Sequence, residues 1–422
     1  MSVTRYVFSR PALLVSLLAT ATLLAGGWVL RLNQDNIRVS TVRDSAGVTM
    51  VSNTDPLLDQ NCIALDTIPV LIIRSGTGAW ADPFLSGTVG GVVLGDGRVA
   101  LLDAGSRELR LYSASGTYLG FAGGPGHGPG EFVEPTWLGR GGADTLLVWD
   151  DAQRRLTAFD RTGRLLSSRL VAADGGERVG PSRVLGRFGD GSYFTGPGGL
   201  FQMPRERGQA RIREPYGKLD AATGHVATLV EGRGSESVAG ARGWYVLPFG
   251  KRDIAVAHGE TLVMGDNGTS VLRYFGMDGV LVREVHWISH PAPVTDDDRD
   301  AHRQYAATIS PRAVPPMDAR YASVRPIFSG LHSAKGGQLW VESFTGGWES
   351  PGSWLVFNAE GRLLCRVSVP GRPRVLEIGD AYLLAVQQDG SGEETVTLYR
   401  HSGGRVGVGG ADGRARLSTL WR

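Results

Sequence analysis

A strand–turn–strand unit returns at one fixed spacing in this chain, and this repeat constrains the possible fold more than any other feature. The segments Asp103–Gly116, Asp150–Gly163 and Asp266–Gly279 each begin with an aspartate that ends an apolar stretch and finish with a glycine thirteen positions later. A polar turn and a second apolar stretch lie between the two ends. Three copies of one spacing indicate a repeat architecture.

Six units of this kind can be followed along the sequence, and each offers three or four short strands. They cover 87–123, 133–171, a third unit from Ser182 that the loop Gly196–Glu214 interrupts, Thr261–Gly279 with its flanks, Leu331–Val369 and Val375–Tyr399. Glycine, at 61 of 422 residues, has about twice its usual share and lies mainly between the apolar runs. The sequence therefore predicts an all-β, six-bladed β-propeller. A linear solenoid would need polar capping repeats, and none is apparent.

The sixth unit shows no strand after Tyr399 that could form its outer edge. Two strand-rich stretches precede the first unit: Ile37–Asn53, a predicted hairpin around Asp44–Gly47, and Cys62–Arg74. We expect strands from 37–73 to fill the missing edge and close the ring.

One segment departs from the β pattern. Val294–Thr308 predicts a helix, because Thr295 is a good N-cap and the three following residues, Asp296, Asp297 and Asp298, lie where the helix dipole favours negative charge. The sequence therefore predicts a short helical insertion between blades four and five.

The chain divides into three parts: 1–34, a signal peptide or membrane anchor; 35–403, the propeller; and 404–422, a flexible tail. Arg5 and Arg10 precede the uncharged run Pro11–Leu30, which is the layout of an export signal and is also long enough to span a bilayer. A cleaved signal, an uncleaved transmembrane helix and a soluble N-terminal helix all remain open. The first two place the propeller outside the cytoplasm, in the periplasm or at the cell surface.

Charge and cysteine content limit the partners and the covalent links. Lys and Arg (44) nearly balance Asp and Glu (42), so the net charge of +2 and the lack of a basic block disfavour nucleic acid as a partner. The two cysteines, Cys62 and Cys365, are far apart in sequence; we expect two separate buried thiols, with a disulfide as the alternative. We expect a monomer.

The loop Gly123–Phe132 carries a resemblance. Gly128–Phe132, Trp149–Asp150 and Phe159–Gly163 resemble NHL-repeat propellers, in which a GxGPGEF loop precedes a blade with a strand–Asp–turn–strand–FD..G unit. Over roughly 38–402 the chain also resembles a family of exported bacterial six-bladed propellers of unassigned function, through Val42–Val48, Leu339–Glu342 and Thr395–Arg400. The resemblance implies the architecture and no particular activity.

Acids recur at one position of the repeat: Asp103, Asp150, Asp266 and, in unit five, Glu342. A ring of functional carboxylates is one interpretation. We favour a structural one, because an acid that follows a strand commonly accepts backbone N–H bonds in the turn.

Histidine-based metal chemistry is the alternative function. Propeller lyases related to the NHL group hold a channel metal with histidines from several blades, but His258 lies eight residues before Asp266 and His332 ten before Glu342, so they share no repeat position. The sequence contains no GxSxG, P-loop, HExxH or paired-cysteine motif. We therefore expect no catalytic residue, metal or cofactor, while a propeller lyase or lactone hydrolase with a channel metal stays as the alternative.

Three residues are candidates for ligand binding: His127 and Glu131 on the loop between units one and two, and Trp137 on the first strand of unit two. Turn geometry for the glycines and core packing for Trp137 would explain the same residues without a ligand. We predict a non-catalytic binding or scaffold module for an envelope protein, a peptide or a glycan.

Overall fold

The computed structural model describes residues 40–54, 63, 65–74, 85–142, 144–171, 183–197, 208–240, 243–309, 319–345, 352–371, 373–390 and 392–401. The predicted N-terminal segment 1–34 and the tail 404–422 lie outside these ranges.

Six sheets surround a central axis, and each is one blade with a four-stranded antiparallel core. Blade one consists of β4 (Thr88–Val93), β5 (Val99–Asp103), β6 (Glu108–Tyr112) and β7 (Tyr118–Gly123). Blade two consists of β8 (Pro135–Arg140), β9 (Leu146–Asp150), β10 (Arg155–Phe159) and β11 (Leu165–Leu170). Blade three consists of β12 (Arg183–Arg187), β13 (Tyr193–Gly196), β15 (Arg213–Leu219) and β16 (Val226–Arg233).

The remaining blades follow the same order of strands. Blade four is built on β19 (Asp253–His258), β20 (Thr261–Asp266), β21 (Val271–Phe275) and β22 (Leu281–Trp287). Blade five consists of β23 (Phe328–Ser333), β24 (Leu339–Ser343), β25 (Gly352–Phe357) and β26 (Leu363–Val369). Blade six has β27 (Arg374–Ile378), β28 (Tyr382–Gln388) and β29 (Glu394–Arg400) from the end of the chain. The predicted six-bladed β-propeller is confirmed.

Blade six takes its outer strand from the start of the chain. In β3 (Leu71–Arg74), Leu71 pairs with Leu398 and Arg74 with Thr395 of β29, antiparallel. Leu71 and Ile73 are buried in the cluster between blades six and one. The prediction that N-terminal strands close the ring is confirmed, because β3 joins the two ends of the chain in one sheet.

The N-terminal hairpin has another position. As predicted, β1 (Ser40–Ser45) and β2 (Val48–Asn53) pair around a tight turn, but β2 then pairs in parallel with β22 and extends blade four to six strands. Its place at the sixth blade was therefore predicted wrongly. The cause is a non-local anchor: buried Asn53 donates to the Gly361 carbonyl (3.1 Å) and accepts from the Leu363 amide (2.8 Å) of blade five.

Six apolar clusters hold the ring together, and each lies between two neighbouring blades. The largest side chains are almost fully covered there, among them Trp149, Trp340 and Trp354. Since every blade buries both of its faces against neighbours, the ring has no end at which a capping repeat would be needed.

The two faces of the ring differ. On one, which we call the turn face, the first strand of a blade leads to the second and the third to the fourth, through connections of two to six residues between the strands given above. On the other, the loop face, the second strand leads to the third and the fourth leads to the next blade. The long insertions interrupt loop-face connections: 197–212 in blade three, 234–252 before blade four and 288–327 before blade five.

The last of these insertions contains the predicted helix, at Asp296–Ile309. Thr295 caps it: its Oγ1 accepts from the Asp298 amide (3.2 Å), and Asp298 Oδ2 accepts from the Thr295 amide (2.8 Å). Arg325 Nη2 pairs with the same Asp298 oxygen at 2.7 Å, which connects the start of the helix to the segment that leads into blade five.

The expectation of a free thiol at Cys365 was wrong, because Cys365 is disulfide-bonded. The only other cysteine of the sequence is Cys62, which lies outside the described residues. The two cysteines are far apart in the sequence, so their spacing did not indicate a disulfide bond. Cys365 is 1% exposed and packs in the cluster between blades five and six.

Truncation of the closing strand provides a test with a built-in control. We expect Ile73→Ala to lower the free energy of unfolding by about 2–4 kcal/mol, because Ile73 is 1% exposed. Ile72→Ala on the same strand removes the same atoms from a side chain that is 44% exposed, and should cost less than about 1 kcal/mol. Urea unfolding of both variants measures the difference; equal losses would contradict a ring closed by β3.

Candidate functional site

The loop 123–132 joins blade one to blade two on the loop face, and His127 and Glu131 are both exposed on it. Glu131 Oε2 accepts from the Gly128 amide at 2.8 Å, so this carboxylate folds back onto the loop. A Cβ at Gly126 would collide with that carboxylate, and Gly126 has φ of +157°, which other residues rarely adopt, so this position favours glycine.

Blade two fixes the loop from below. Gln153 Nε2 donates to the carbonyls of Gly126 (3.2 Å) and Glu131 (3.1 Å). Arg155 donates to the carbonyls of Gly128 (3.0 Å) and His127 (3.1 Å). Four backbone oxygens of the loop therefore accept hydrogen bonds from blade two, which fixes the loop backbone, and His127 on this loop is exposed to solvent.

Trp137 is not part of the same surface. It lies on β8 and packs against the cluster between blades two and three, where its ring meets Tyr193 edge-on at 5.7 Å. The structure therefore groups two of the three predicted binding residues and places the third in a packing position.

The repeat acids lie at the ends of second strands and accept backbone amides. Asp103 Oδ1 accepts from Gly105 (2.9 Å), and Arg110 Nη1 lies 3.0 Å from its other oxygen. Asp150 accepts from the amides of Val133 (2.7 Å), Glu134 (3.0 Å) and Gln153 (2.8 Å). Asp150 thus connects the loop 123–132 to the turn beside it.

Glu342 does not occupy this position. In the strand ladders Thr88 faces Asp103, and Pro135 faces Asp150; in blade five Phe328 faces Ser343. Ser343 is therefore the equivalent residue, and Glu342 is one step earlier on the opposite side of the strand.

Asp266 belongs to a larger ionic group. Its Oδ1 accepts from the Gly268 amide (2.9 Å), while Arg211 Nη1 (2.6 Å) and Arg233 Nη2 (2.9 Å) contact Oδ2. Burial acts to raise the pKa of Asp266, but these bonds, led by that from Arg211, hold it below its usual range. Arg211 also binds Asp253 at 3.1 Å.

A groove of about 340 Å³ opens beside this group, between blades three and four. Its exposed charges alternate in sign: Arg213 (side chain 81% exposed), Glu231 (54%) and Arg233 (55%). We call this the loop-face groove. No sequence pattern indicates this groove, because Arg213 and Arg233 come from opposite ends of one hairpin and Arg211 comes from an insertion.

The loop-face insertions pack together into one structure, the cap. Phe249 is its centre, with rings of His302 (5.7 Å), Tyr321 (6.2 Å) and Phe344 (5.8 Å) around it. The hairpin of β17 (Ser237–Gly240) and β18 (Gly243–Val246) belongs to the cap, because the Tyr245 hydroxyl accepts from the Arg320 amide at 2.8 Å and β14 (Gln209–Ala210) pairs with β17. The cap therefore unites segments from four loop-face connections: the three insertions and the connection from β24 to β25 that contains Phe344.

The histidines are dispersed. His258 Nδ1 and Ser333 Oγ are 2.9 Å apart, His286 lies 3.2 Å from Glu284 and His332 packs on Trp354 at 5.0 Å. Among the described residues, no three His, Cys, Asp or Glu side chains are grouped closely enough to hold a metal ion.

Similar architectures occur among solved structures. A predicted exported protein of Bacteroides fragilis is 12% identical, with 84% of this chain and 99% of that chain covered and a TM-score of 0.45. A member of the DUF4221 family from Bacteroides vulgatus is 12% identical, with 82% of this chain and 99% of that chain covered and a TM-score of 0.45. Virginiamycin B lyase from Staphylococcus aureus is 9% identical, with 81% of this chain and 99% of that chain covered and a TM-score of 0.39. No protein-family model and no curated protein matches the sequence.

Within the described ranges, no helix is both long and apolar enough to cross a membrane. The predicted signal or anchor segment, 1–34, lies outside these ranges.

The Asp150 contacts predict a large effect of removing one carboxylate. Asp150 is 1% exposed, so Asp150→Ala leaves three backbone amides without their acceptor. The substitution should lower the free energy of unfolding by about 2–4 kcal/mol. Asp160→Ala is the control, because Asp160 also accepts hydrogen bonds from backbone amides, those of Thr162 and Arg164, but is exposed to solvent. Denaturant unfolding should show a clearly larger loss of stability for Asp150→Ala than for Asp160→Ala. A smaller or equal loss would contradict the role of Asp150 in connecting the loop 123–132 to the adjacent turn.

His332 predicts a pH dependence of stability. Burial lowers its pKa from 6.5 to about 4, so between these values the unfolded chain binds a proton that the native protein does not. Stability should therefore fall as the pH drops from 6.5 towards 4, by about 2 kcal/mol from this residue. His332→Gln should remove that part of the loss. Urea titrations of both proteins at each pH measure it, and parallel pH profiles would show that His332 contributes nothing.

Proposed function

We propose that the protein is an exported, non-catalytic binding module that holds a protein, peptide or glycan on its loop face. The observation that carries the proposal is the asymmetry of the ring: the turn face has only short connections, whereas the insertions on the loop face form the cap. Arg211 of one insertion also binds Asp253 and Asp266 in the wall of the loop-face groove. Loops held on a rigid scaffold are where binding proteins usually place their contacts.

The chemistry of this surface favours a polar ligand. Arg213 and Glu231 form an exposed pair at 2.8 Å, which a ligand with charges of both signs can replace at little cost. The His127 side chain, carried on a loop whose backbone is held by Gln153 and Arg155, adds an exposed imidazole at the junction of blades one and two. A polypeptide supplies such mixed charges most directly, and a glycan is the competing occupant.

Export is supported by two independent features. The basic and then apolar N-terminus has the layout of an export signal. The disulfide at Cys365 suits an oxidising compartment such as the periplasm or the cell surface. The other function considered, a lyase or lactone hydrolase with a channel metal, has no observation on the described residues in its favour; metal analysis of the purified protein addresses it directly.

The proposal predicts that ligand capture depends on one face only. His127→Ala combined with Glu131→Ala, and separately Arg213→Ala, should each reduce capture of a ligand from envelope extract about fivefold or more. Arg161→Ala is the control, since Arg161 is 59% exposed on the turn face. Quantitative mass spectrometry of the captured material measures the change.

One further variant and one treatment of the extract make this experiment more specific. Glu131→Gln keeps an acceptor for the Gly128 amide and separates loss of charge from loss of loop geometry. Protease or periodate treatment of the extract distinguishes a polypeptide from a glycan. If Arg161→Ala weakens capture as much as the loop-face variants do, the loop face is not the binding surface.

A further inference from the structure

The central channel opens on the turn face into a cavity of about 320 Å³ that the first strands of all six blades line. We call it the channel mouth. Its size matches the lower end of small-molecule sites. It lies on the face opposite to the cap, so a ligand here is independent of the loop-face function proposed above.

Three cations from three different blades line the channel mouth: Arg140, Arg187 and Lys335. The lining contains one carboxylate, that of Glu377. Asp144 stands near the rim, with Oδ1 3.7 Å from Arg140 Nη1, beyond hydrogen-bond distance.

The Glu377 carboxylate is fully engaged. Oε2 accepts from the Val93 amide (2.8 Å) and the Tyr382 hydroxyl (2.8 Å), while Arg140 Nε (3.1 Å) and Lys335 Nζ (3.3 Å) contact Oε1. Glu377 thus holds Arg140 and Lys335 in place and has no lone pair left for a further cation.

Arg187 has no such partner. Its guanidinium donates to the carbonyls of Gly191 (3.3 Å) and Arg140 (3.3 Å), which are neutral, and among the described residues no carboxylate lies within ion-pair distance of it. The second bond places the Arg187 guanidinium against the backbone of Arg140, and both side chains line the same cavity. A cation without a carboxylate partner in a concave site attracts an anion, and an anion bound there would be stabilised by the charges of both arginines.

The blade repeat does not require these arginines. The residue that ends the first strand is Arg in blades two and three, and Val93, His258, Ser333 and Ile378 in blades one, four, five and six. Packing therefore accepts small, apolar or neutral side chains at this position. Two adjacent arginines are a particular feature of this channel.

The wall between these charges is apolar: Leu138, Val256 and Leu376 line it, with glycines between them. A bare inorganic anion would leave this apolar wall in water. A molecule with one acidic group and a short hydrocarbon or aromatic body would cover it.

We propose that the channel mouth binds a small organic acid whose carboxylate is held by Arg140, Arg187 and Lys335. The planar guanidinium fork pairs with both oxygens of a carboxylate, and the Lys335 ammonium contacts one of them. The body of the acid lies against the apolar wall. Tyr382 keeps its proton, because burial and then Glu377 raise its pKa, and its hydroxyl accepts from Lys335 at 2.9 Å.

Thermal unfolding and calorimetry with hexanoate, benzoate and phenylacetate as probes test the site, on protein purified after expression of the full chain. At least one acid should bind saturably, while hexan-1-ol and inorganic phosphate should not. Arg187→Gln should weaken that binding about tenfold, since one charged bond is worth roughly this factor. Lys335→Gln should weaken it as well.

Arg161→Gln is the matched control, because it removes an exposed arginine from the same face outside the cavity. It should bind the acid as the unmodified protein does. Failure of all three acids to bind would overturn the proposal, and so would phosphate binding that equals that of the acids. Binding that survives Arg187→Gln unchanged would also overturn it. The loop-face function is unaffected by any of these outcomes.

Discussion

The pairing of β3 with β29 is the contact on which the rest of the structure depends. Without β3, blade six would expose the edge of β29, and the apolar cluster between blades six and one would lose Leu71 and Ile73. A ring of packed blades has no stable open form, since each open end exposes a face that its neighbour should cover. Closure therefore links the start of the folded chain to its end, and the disulfide at Cys365 adds a covalent bond near the same part of the ring.

Closure also explains why the two faces can differ. Once the ring is rigid, the turn face needs only short connections, and the loop face can carry insertions at little cost to the blades. The hairpin β1–β2 follows the same logic: it adds to the outside of blade four, and Asn53 fastens it to blade five. The insertions, the hairpin and the channel are three additions to one scaffold, and only the scaffold is repeated.

The sequence predicts the repeated part well, because its signals are local. The spacing from Asp103 to Gly116 recurs in blades two and four, where a short turn also joins the second strand to the third. The helix after Thr295 begins with its own cap. The offset at Glu342 is a limit of the same approach. In blade five the connection between β24 and β25 is longer than the four residues between β5 and β6, so the spacing that identifies the repeat acid in blades one, two and four is missing there.

What could not be predicted is non-local. The parallel pairing of β2 with β22, the bond of Cys365 and the meeting of Arg140 with Arg187 all join residues from different blades or from distant parts of the chain. The candidate loop was visible because its glycines and prolines lie together in sequence. The cap, the loop-face groove and the channel mouth were not, since each is assembled from insertions or strand ends that carry no shared motif.

Hydrogen–deuterium exchange of the segment Leu71–Arg74 tests the central claim, ring closure by β3, most directly. The account predicts that those amides of the segment that donate to β29 exchange as slowly as the hydrogen-bonded amides of the buried strand Leu146–Asp150, because both segments open only when the ring opens. Exchange as fast as in the exposed turn 113–117 would contradict it, and would mean that the ring holds together without its N-terminal strand.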